Sequence, residues 1–134
     1  MANKLFVTVK CDVKDVFDAA LKPGILKAMG ANITDSINNK SGGKLSTKDK
    51  SAEGFILSAS VTSLKAYNKD KPTKLDAKAA VSVIAVGSTA KAFNGSSGAS
   101  LTGVGSNVQS AAEGLVTDLL DDFMPKVIKT MLSL

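Results

Sequence analysis

The stretch FILSASVTSLKAYNKDKPTKLDAKAAVSVIAVG, residues 55–87, contains two segments in which apolar and polar residues alternate. A period of two is typical of β-strands that bury one face. The apolar positions of the first segment are Phe55, Leu57, Ala59 and Val61, and those of the second are Leu75, Ala77, Ala79, Val81, Val83 and Ala85. The polar residues between them, NKDKP (68–72), have the composition of a turn. The stretch therefore predicts a β-hairpin.

The sequence before this hairpin predicts a strand, a helix and a loop. Residues 5–11, LFVTVKC, alternate as a strand does. Apolar residues three and four apart follow, and Pro23-Gly24 interrupts them. Because proline fits the first turn of a helix, we predict the main helix from about Pro23 to Ile37. Residues 38–54 are polar and contain Gly42-Gly43, which indicates a mobile, solvated loop.

The sequence after the hairpin predicts a weaker strand and a long helix. We place the strand near residues 99–104, because Asn94-Gly95 is a strong hairpin-turn signal. A continuous helical stripe of apolar residues then runs through SNVQSAAEGLVTDLLDDFMPKVIKTMLSL, residues 106–134. Ser106 and Gln109 have the spacing of a capping box. Pro125 predicts a kink or a break in this helix.

These elements define the expected architecture. Their order is β-α-β-β-(β)-α in a chain of 134 residues, a length that suits one domain over residues 1–134. An amphipathic sheet and two amphipathic helices bury their apolar faces together when the helices cover one side of the sheet. The sequence therefore predicts an α+β domain with a three- to four-stranded, mainly antiparallel sheet and two helices packed on one face.

The composition excludes several kinds of chemistry. All 17 basic residues are lysine, and the chain has no histidine, arginine or tryptophan. Without histidine there is no Ser–His–Asp triad, no Cys–His nucleophile and no histidine metal ligand. Without arginine, bidentate reading of guanine is lost, which argues against sequence-specific nucleic-acid binding. We expect no enzyme activity, no cofactor and no metal site, and we expect the single Cys11 to be a small buried hydrophobe.

The glycine- and serine-rich segment FNGSSGASLTGVGSNVQSAAEG, residues 93–114, raises the question of a phosphate site. Gly98 and Gly103 have P-loop spacing, but Val104 and Gly105 stand where the lysine and Ser/Thr are required. Gly103 and Gly105 also begin a dinucleotide fingerprint, which Val108 interrupts. A small anion or nucleotide held by the 98–108 loop at the helix N-terminus remains an alternative. Its candidate residues are Gly103, Gly105, Ser106 and Asn107.

Charged residues suggest a second alternative. The net charge is +5, and one region concentrates lysines, namely Lys65, Lys69, Lys71, Lys74 and Lys78. Such a basic surface could bind nucleic acid or an anionic membrane without sequence specificity. We interpret the acidic residues Asp118, Asp121 and Asp122 as a solvated helix face. No apolar run approaches the ~20 residues that a transmembrane helix needs.

The order of the two alternating segments, a Gly/Ala/Ser-rich stretch and the helix AAEGLVTDLLDDFMPKVIKTM resembles small bacterial envelope lipoprotein modules. The likeness is to the type found in penicillin-binding-protein activator lipoproteins and in the curli assembly lipoprotein. It is topological, covers residues 5–132 and transfers no functional residue. It implies a periplasmic binding or assembly module. Those lipoproteins carry a lipid-bearing cysteine after a signal, whereas Cys11 lies inside a predicted strand.

Together these observations favour a non-enzymatic module that binds another protein or its own copies. The small-residue strands suit close packing, and an uncovered sheet face or edge would be the contact surface. The N-terminal segment MANKLFVTVKCDV alternates like a strand, and its apolar run is too short for a secretory signal. The compartment stays open: periplasm or envelope if a leader has been removed, and cytoplasm otherwise.

Overall fold

A computed structural model of the protein describes residues 5–42, 44–47, 54–67, 73–86 and 91–133. Within these ranges the chain forms five strands and two helices: β1 (Leu5–Val13), α1 (Lys22–Lys40), β2 (Leu45–Ser46), β3 (Gly54–Tyr67), β4 (Lys74–Ala85), β5 (Lys91–Thr102) and α2 (Val108–Leu132). A 3-10 turn at Ala19–Leu21 leads into α1.

The strands form one mixed sheet in the order β2-β1-β3-β4-β5. β3, β4 and β5 run antiparallel to one another, whereas β1 lies parallel to both β2 and β3. The α+β fold with helices on the sheet is therefore confirmed, and the described sheet has one strand more than the upper prediction of four. The predicted turn at residues 68–72 lies outside the described residues.

The alternating pattern of β3 and β4 makes one face of the sheet apolar. Leu57 lies opposite Val83, Val61 lies opposite Ala79, and all four side chains are buried. A β-bulge between Val61 and Ser63 interrupts the register near the middle of β3. Because successive residues of a strand point to opposite faces, the polar residues of both strands lie on the other side of the sheet.

Both helices contact the sheet and each other, and they cover this apolar face. α1 buries apolar residues four positions apart, which are Ile25, Met29, Ile33 and Ile37. α2 buries a longer stripe of Ala112, Leu115, Val116, Leu119, Leu120, Phe123, Met124, Val127, Ile128 and Met131. Pro23 lies in the first turn of α1, as predicted. α2 runs through Pro125 without the predicted break, and a kink there stays a prediction.

The polar segment 38–54 contains more regular structure than the predicted loop. Leu45–Ser46 forms β2, and both residues are buried against β1. The amide of Asn38 donates to Thr47 Oγ1 at 3.0 Å and accepts from Thr47 N at 3.2 Å, which ties the strand to the end of α1. Residues 43 and 48–53 lie outside the described ranges.

The prediction of a hairpin turn at Asn94-Gly95 is wrong, because both residues lie inside β5. Asn94 pairs with Ser82 of β4, and the antiparallel pairing continues to Thr102. A Cβ atom on Gly95 would lie only 3.1 Å from the ring of Phe123 on α2. The glycine thus permits close packing of the helix on the strand and does not form a turn.

Candidate functional site

The face of the sheet opposite the two helices carries short polar side chains in its middle. Two neighbouring rows across the strands are Lys10–Ser58–Ser82–Asn94 and Asp12–Ser60–Ala80–Ser96. They border a shallow depression of about 330 Å³. We call this surface the open face. Its serines occupy polar positions of the alternating pattern, so a polar face was predictable from the sequence. The individual residues of this surface were not predicted.

Ser60 lines this depression and has an unusual environment. Its Oγ is buried and makes no hydrogen bond to any residue in the described ranges. A buried hydroxyl without a partner costs about 1–3 kcal/mol.

One end of the open face carries a charged cluster of residues from β3, β4 and β5. Ser100 Oγ donates a hydrogen bond to the Asp76 carboxylate. Lys74 Nζ lies 3.9 Å from Asp76 Oδ1 and 5.2 Å from the centre of the Tyr67 ring. The lysine therefore contacts both a carboxylate and an aromatic face. We call these four residues the Asp76 cluster.

The Asp76 cluster shifts the protonation of two of its members. The hydrogen bond from Ser100 lowers the pKa of Asp76, and Tyr67, Lys74 and Lys78 lower it further. The contact between Asp76 and Tyr67 has the opposite effect on the pKa of the tyrosine. The hydrogen bond to Asp76 and its negative charge raise the pKa of Tyr67. At neutral pH the cluster therefore holds one carboxylate, one neutral phenol, one lysine and one serine hydroxyl, with Lys78 nearby.

The predicted basic surface is partly assembled on the open face. Lys65 lies opposite Asp76 and Lys78 lies opposite Ser63 in the pairing of β3 with β4, and Lys74 pairs with Tyr67. Three lysines thus surround one carboxylate at the end of the sheet. The other two predicted residues, Lys69 and Lys71, lie outside the described residues.

The predicted anion-binding residues form the turn between β5 and α2. Gly103 and Gly105 have φ values of 65° and 74°, which are strained for residues with a side chain. Gly103 N donates to Thr73 O at 3.2 Å. Asn107, and not Ser106, caps α2, since its side chain accepts from Ser110 N at 3.1 Å.

This geometry corrects the predicted capping box. Gln109 Nε2 donates to Glu113 Oε2 at 2.6 Å and so does not reach back to the helix start. The two glycines serve the turn, and backbone N–H groups of Gly103 and Ser110 already have acceptors. The predicted 98–108 loop is limited to residues 103–107, because residues 98–102 belong to β5. Anion binding at this turn stays a prediction.

Two other residue sets have structural explanations. Cys11 is half-buried against the core, and burial raises the pKa of its thiol, which disfavours the reactive thiolate. Asp121 accepts a hydrogen bond of 3.0 Å from Asn32 Nδ2 and so links α2 to α1. Asp118 and Asp122 are exposed, as the interpretation of a solvated helix face predicted.

A groove that was not predicted from the sequence lies between the C-terminal ends of the two helices. It measures about 530 Å³ and is lined by Lys40, Pro125, Ile128, Lys129, Leu132 and Ser133. Pro125 and Leu132 are the exposed apolar residues that could have indicated it. Neither described helix is both long and apolar enough to cross a membrane.

No family model and no curated protein sequence matches the chain. Solved structures do share its fold. The hypothetical protein CT253 from Chlamydia trachomatis is 13% identical, with a TM-score of 0.63 over 98% of this chain and 100% of that chain. A PelC dodecamer from Paraburkholderia phytofirmans is 14% identical, with a TM-score of 0.53 over 90% and 89%. Lipoprotein GNA1162 from Neisseria meningitidis is 12% identical, with a TM-score of 0.51 over 93% and 99%.

These similarities confirm the topological resemblance to small bacterial lipoprotein modules. The matches cover at least 90% of this chain, so the likeness extends well beyond a shared hairpin. At identities of 12–14%, the TM-scores above 0.5 establish a common fold and nothing more.

Proposed function

We propose that the protein is a non-enzymatic binding or assembly module that acts through contact with another protein or with copies of itself. One observation carries the proposal. Both described helices cover the same face of the sheet, so the open face and the outer edge of β5 have no cover from the described elements. Uncovered sheet surfaces and edges are common protein-binding sites.

The structures that share the fold support this function. PelC crystallised as a dodecamer, and GNA1162 is a lipoprotein. We extend both features to this chain as part of the proposal: self-association, and a place in the bacterial envelope. The serine-rich rows of the open face suit such contact, because short side chains let a partner approach the sheet closely.

The non-enzymatic part of the proposal is supported by composition and side-chain placement. The absence of histidine and arginine from the sequence removes the commonest general base and the usual clamp for anionic substrates. Among the residues that the structure describes, no group of three Cys, Asp and Glu side chains could hold a metal ion.

Light scattering after size exclusion, repeated over a wide range of protein concentrations, tests self-association. We expect a mass above that of the monomer that rises with concentration. A parallel pull-down from a bacterial envelope fraction tests for a different protein partner, with an equally basic unrelated domain as the control. A chain that stays monomeric and retains no partner above that control contradicts the proposal.

A second candidate function is non-specific binding of polyanions, which is favoured by the meeting of Lys65, Lys74 and Lys78 on the open face. Affinity for a polyanion should fall steeply as salt rises, because bound counterions are released. Replacing these three lysines with glutamine should weaken binding and flatten its salt dependence. The matched control replaces Lys22, Lys27 and Lys126, exposed lysines of the helix layer, and removes the same charge. Equal losses in both triple variants would contradict a specific basic surface.

A further inference from the structure

The outer edge of β5 is the longest free strand edge in the described part of the sheet. β5 has 12 residues and pairs with β4 on one side, and no described strand lies on its other side. The opposite edge of the sheet is β2, which has two residues. Backbone N–H and C=O groups along β5 are therefore available to a further strand.

From Phe93 to Thr102, β5 lacks the features that usually protect a strand edge from pairing. Such features are charged side chains, proline and bulges. From residue 92 to residue 102 the sequence AFNGSSGASLT contains no charge and no proline. The register irregularity lies opposite Val83 and Ile84 at the start of the strand, so the pairing from Phe93 to Thr102 is continuous.

The sequence of β5 is complementary to itself in the antiparallel direction. If Ser97 of two copies lie opposite one another, Phe93 meets Leu101 and Gly95 meets Ala99 on the helix side. On the open face, Asn94 meets Ser100 and Ser96 meets Gly98. Each pair joins residues of similar polarity, and no like charges meet. Phe93 and Leu101 are only partly buried within one chain, so their remaining apolar surface would gain cover from the partner.

The helix layer is compatible with this arrangement. α2 contacts β4 and β5. A two-fold axis perpendicular to the sheet keeps both helix layers on the same side. Strands are about 4.8 Å apart, so two α2 helices placed over the β4–β5 pairs would lie ~10 Å from each other. This distance is normal for packed helices.

We propose that two copies of the chain join β5 to β5, antiparallel and in a two-fold register centred on Ser97, so that their sheets form one continuous sheet. This inference rests on the proposed function and names the partner as a second copy. Self-complementarity favours that partner over an unrelated strand, because an isologous contact requires one surface to match itself.

Opposite charges at the centre of the interface give the sharpest test. Ser97 is exposed in the single chain, so Ser97→Lys and Ser97→Asp should fold, which circular dichroism checks. A dimer of two copies of either variant places two like charges directly opposite one another. We expect sedimentation to show the dissociation constant of the dimer raised by roughly fivefold or more for each variant alone, and an equimolar mixture of the two to recover tight association. Ala31→Lys, on the exposed side of α1, is the matched charge control and should change nothing.

Cross-linking gives an independent measurement of the register. In a Cys11→Ser background, Ser97→Cys should form a disulfide-linked dimer under mild oxidation with copper–phenanthroline, since opposite residues in a β-pair have Cβ atoms about 5 Å apart. Ala31→Cys in the same background should not cross-link.

The outcomes separate this inference from the proposed function. A wild-type chain that self-associates but ignores the Ser97 charges, or that fails to cross-link at this position, overturns the β5 interface and leaves the assembly function standing. A wild-type chain that is monomeric at every concentration also overturns the interface. The proposed function fails only if that monomer retains no other protein.

Discussion

Asp76 organises the charged end of the open face through contacts with three other strand residues. Hydrogen bonds from Ser100 and Tyr67, together with two lysines, lower its pKa in the folded chain. A carboxyl whose folded pKa is lowered adds stability above its unfolded pKa of about 4. That contribution is lost as the pH falls through the lower folded value, so the cluster weakens only in acid.

The single tyrosine provides a direct reading of this cluster. We expect the Tyr67 phenol to titrate above its ordinary pKa of about 10, because the hydrogen bond to Asp76 and its negative charge oppose ionisation. Asp76→Asn should lower the Tyr67 pKa toward the ordinary value. Ultraviolet absorbance of the phenolate measures the change without interference, since the chain has one tyrosine and no tryptophan.

A matched variant controls for the loss of one negative charge from the open face. Asp12 lies on β1, away from the phenol, so Asp12→Asn should leave the Tyr67 titration unchanged. If both variants move the titration equally, the effect comes from the overall field of the protein and not from the contact with Asp76.

At the scale of elements, the N-terminal cap of α2 lies one residue further along the chain than the sequence motif predicts. The sequence offers two adjacent polar residues, Ser106 and Asn107, and the spacing to Gln109 favours the first. In the structure the φ values of Gly103 and Gly105 set the path of the turn, and Asn107 becomes the cap. The spacing of residue types in the sequence does not reveal the path of the backbone before the helix. It therefore could not distinguish Ser106 from Asn107 as the cap.

The two candidate caps are distinguished by alanine substitution. Asn107→Ala should lower the free energy of unfolding by about 0.5–2 kcal/mol, because it removes the acceptor of Ser110 N. Ser106→Ala is the control and should have little effect, since Ser106 is exposed and outside the cap. Chemical denaturation followed by circular dichroism measures both. A larger loss for Ser106→Ala would contradict the observed cap.

Elements with a long periodic pattern were predictable, and elements that depend on a distant contact were not. β3, β4 and α2 repeat their apolar pattern over many residues. β2 consists of Leu45 and Ser46, too few for any period, and it exists because β1 lies beside it. β5 contains Asn94-Gly95, a turn signal that is overridden by pairing with β4 and by the ring of Phe123 over Gly95.

At the scale of the whole molecule, buried side chains from both helices and the sheet form one cluster. Ile33 of α1, Leu57 of β3 and Leu120 of α2 all belong to it and have no exposed surface. A core shared by all major elements favours unfolding in one cooperative step. Neither helix has a separate apolar cluster among the described residues that would keep it folded alone.

Ile33→Ala tests this shared core. Loss of a fully buried isoleucine should lower the free energy of unfolding by about 2–5 kcal/mol, and Ile33→Val by about 0.5–1.5 kcal/mol. Helical circular dichroism and the methyl signals of sheet residues in NMR should report the same transition midpoint in each variant. Separate midpoints for helix and sheet would show that the layers unfold independently.

The candidate binding surface was predictable in kind but not in detail. The lysine-rich segment pointed to the end of the sheet where Lys65, Lys74 and Lys78 meet. The role of Asp76 among them depends on cross-strand register, which the bulge near Val61 shifts by one residue. The burial of the Ser60 hydroxyl without a partner results from packing across β1, β3 and β4. It could not be predicted from the residues next to Ser60 in the sequence.

The parallel pairing of β1 with β3 affects the order in which elements can fold during synthesis on the ribosome. Phe6 lies opposite Gly54 and Val13 opposite Val61, so β1 and α1 leave the ribosome well before their partner strand exists. The three antiparallel strands can join neighbour to neighbour as they emerge, because their contacts are close in the chain. The apolar side chains of these N-terminal elements stay incompletely buried until β3 emerges to pair with β1 and α2 emerges to pack on α1. Complete protection of these side chains from solvent is therefore expected only after α2 has left the ribosome.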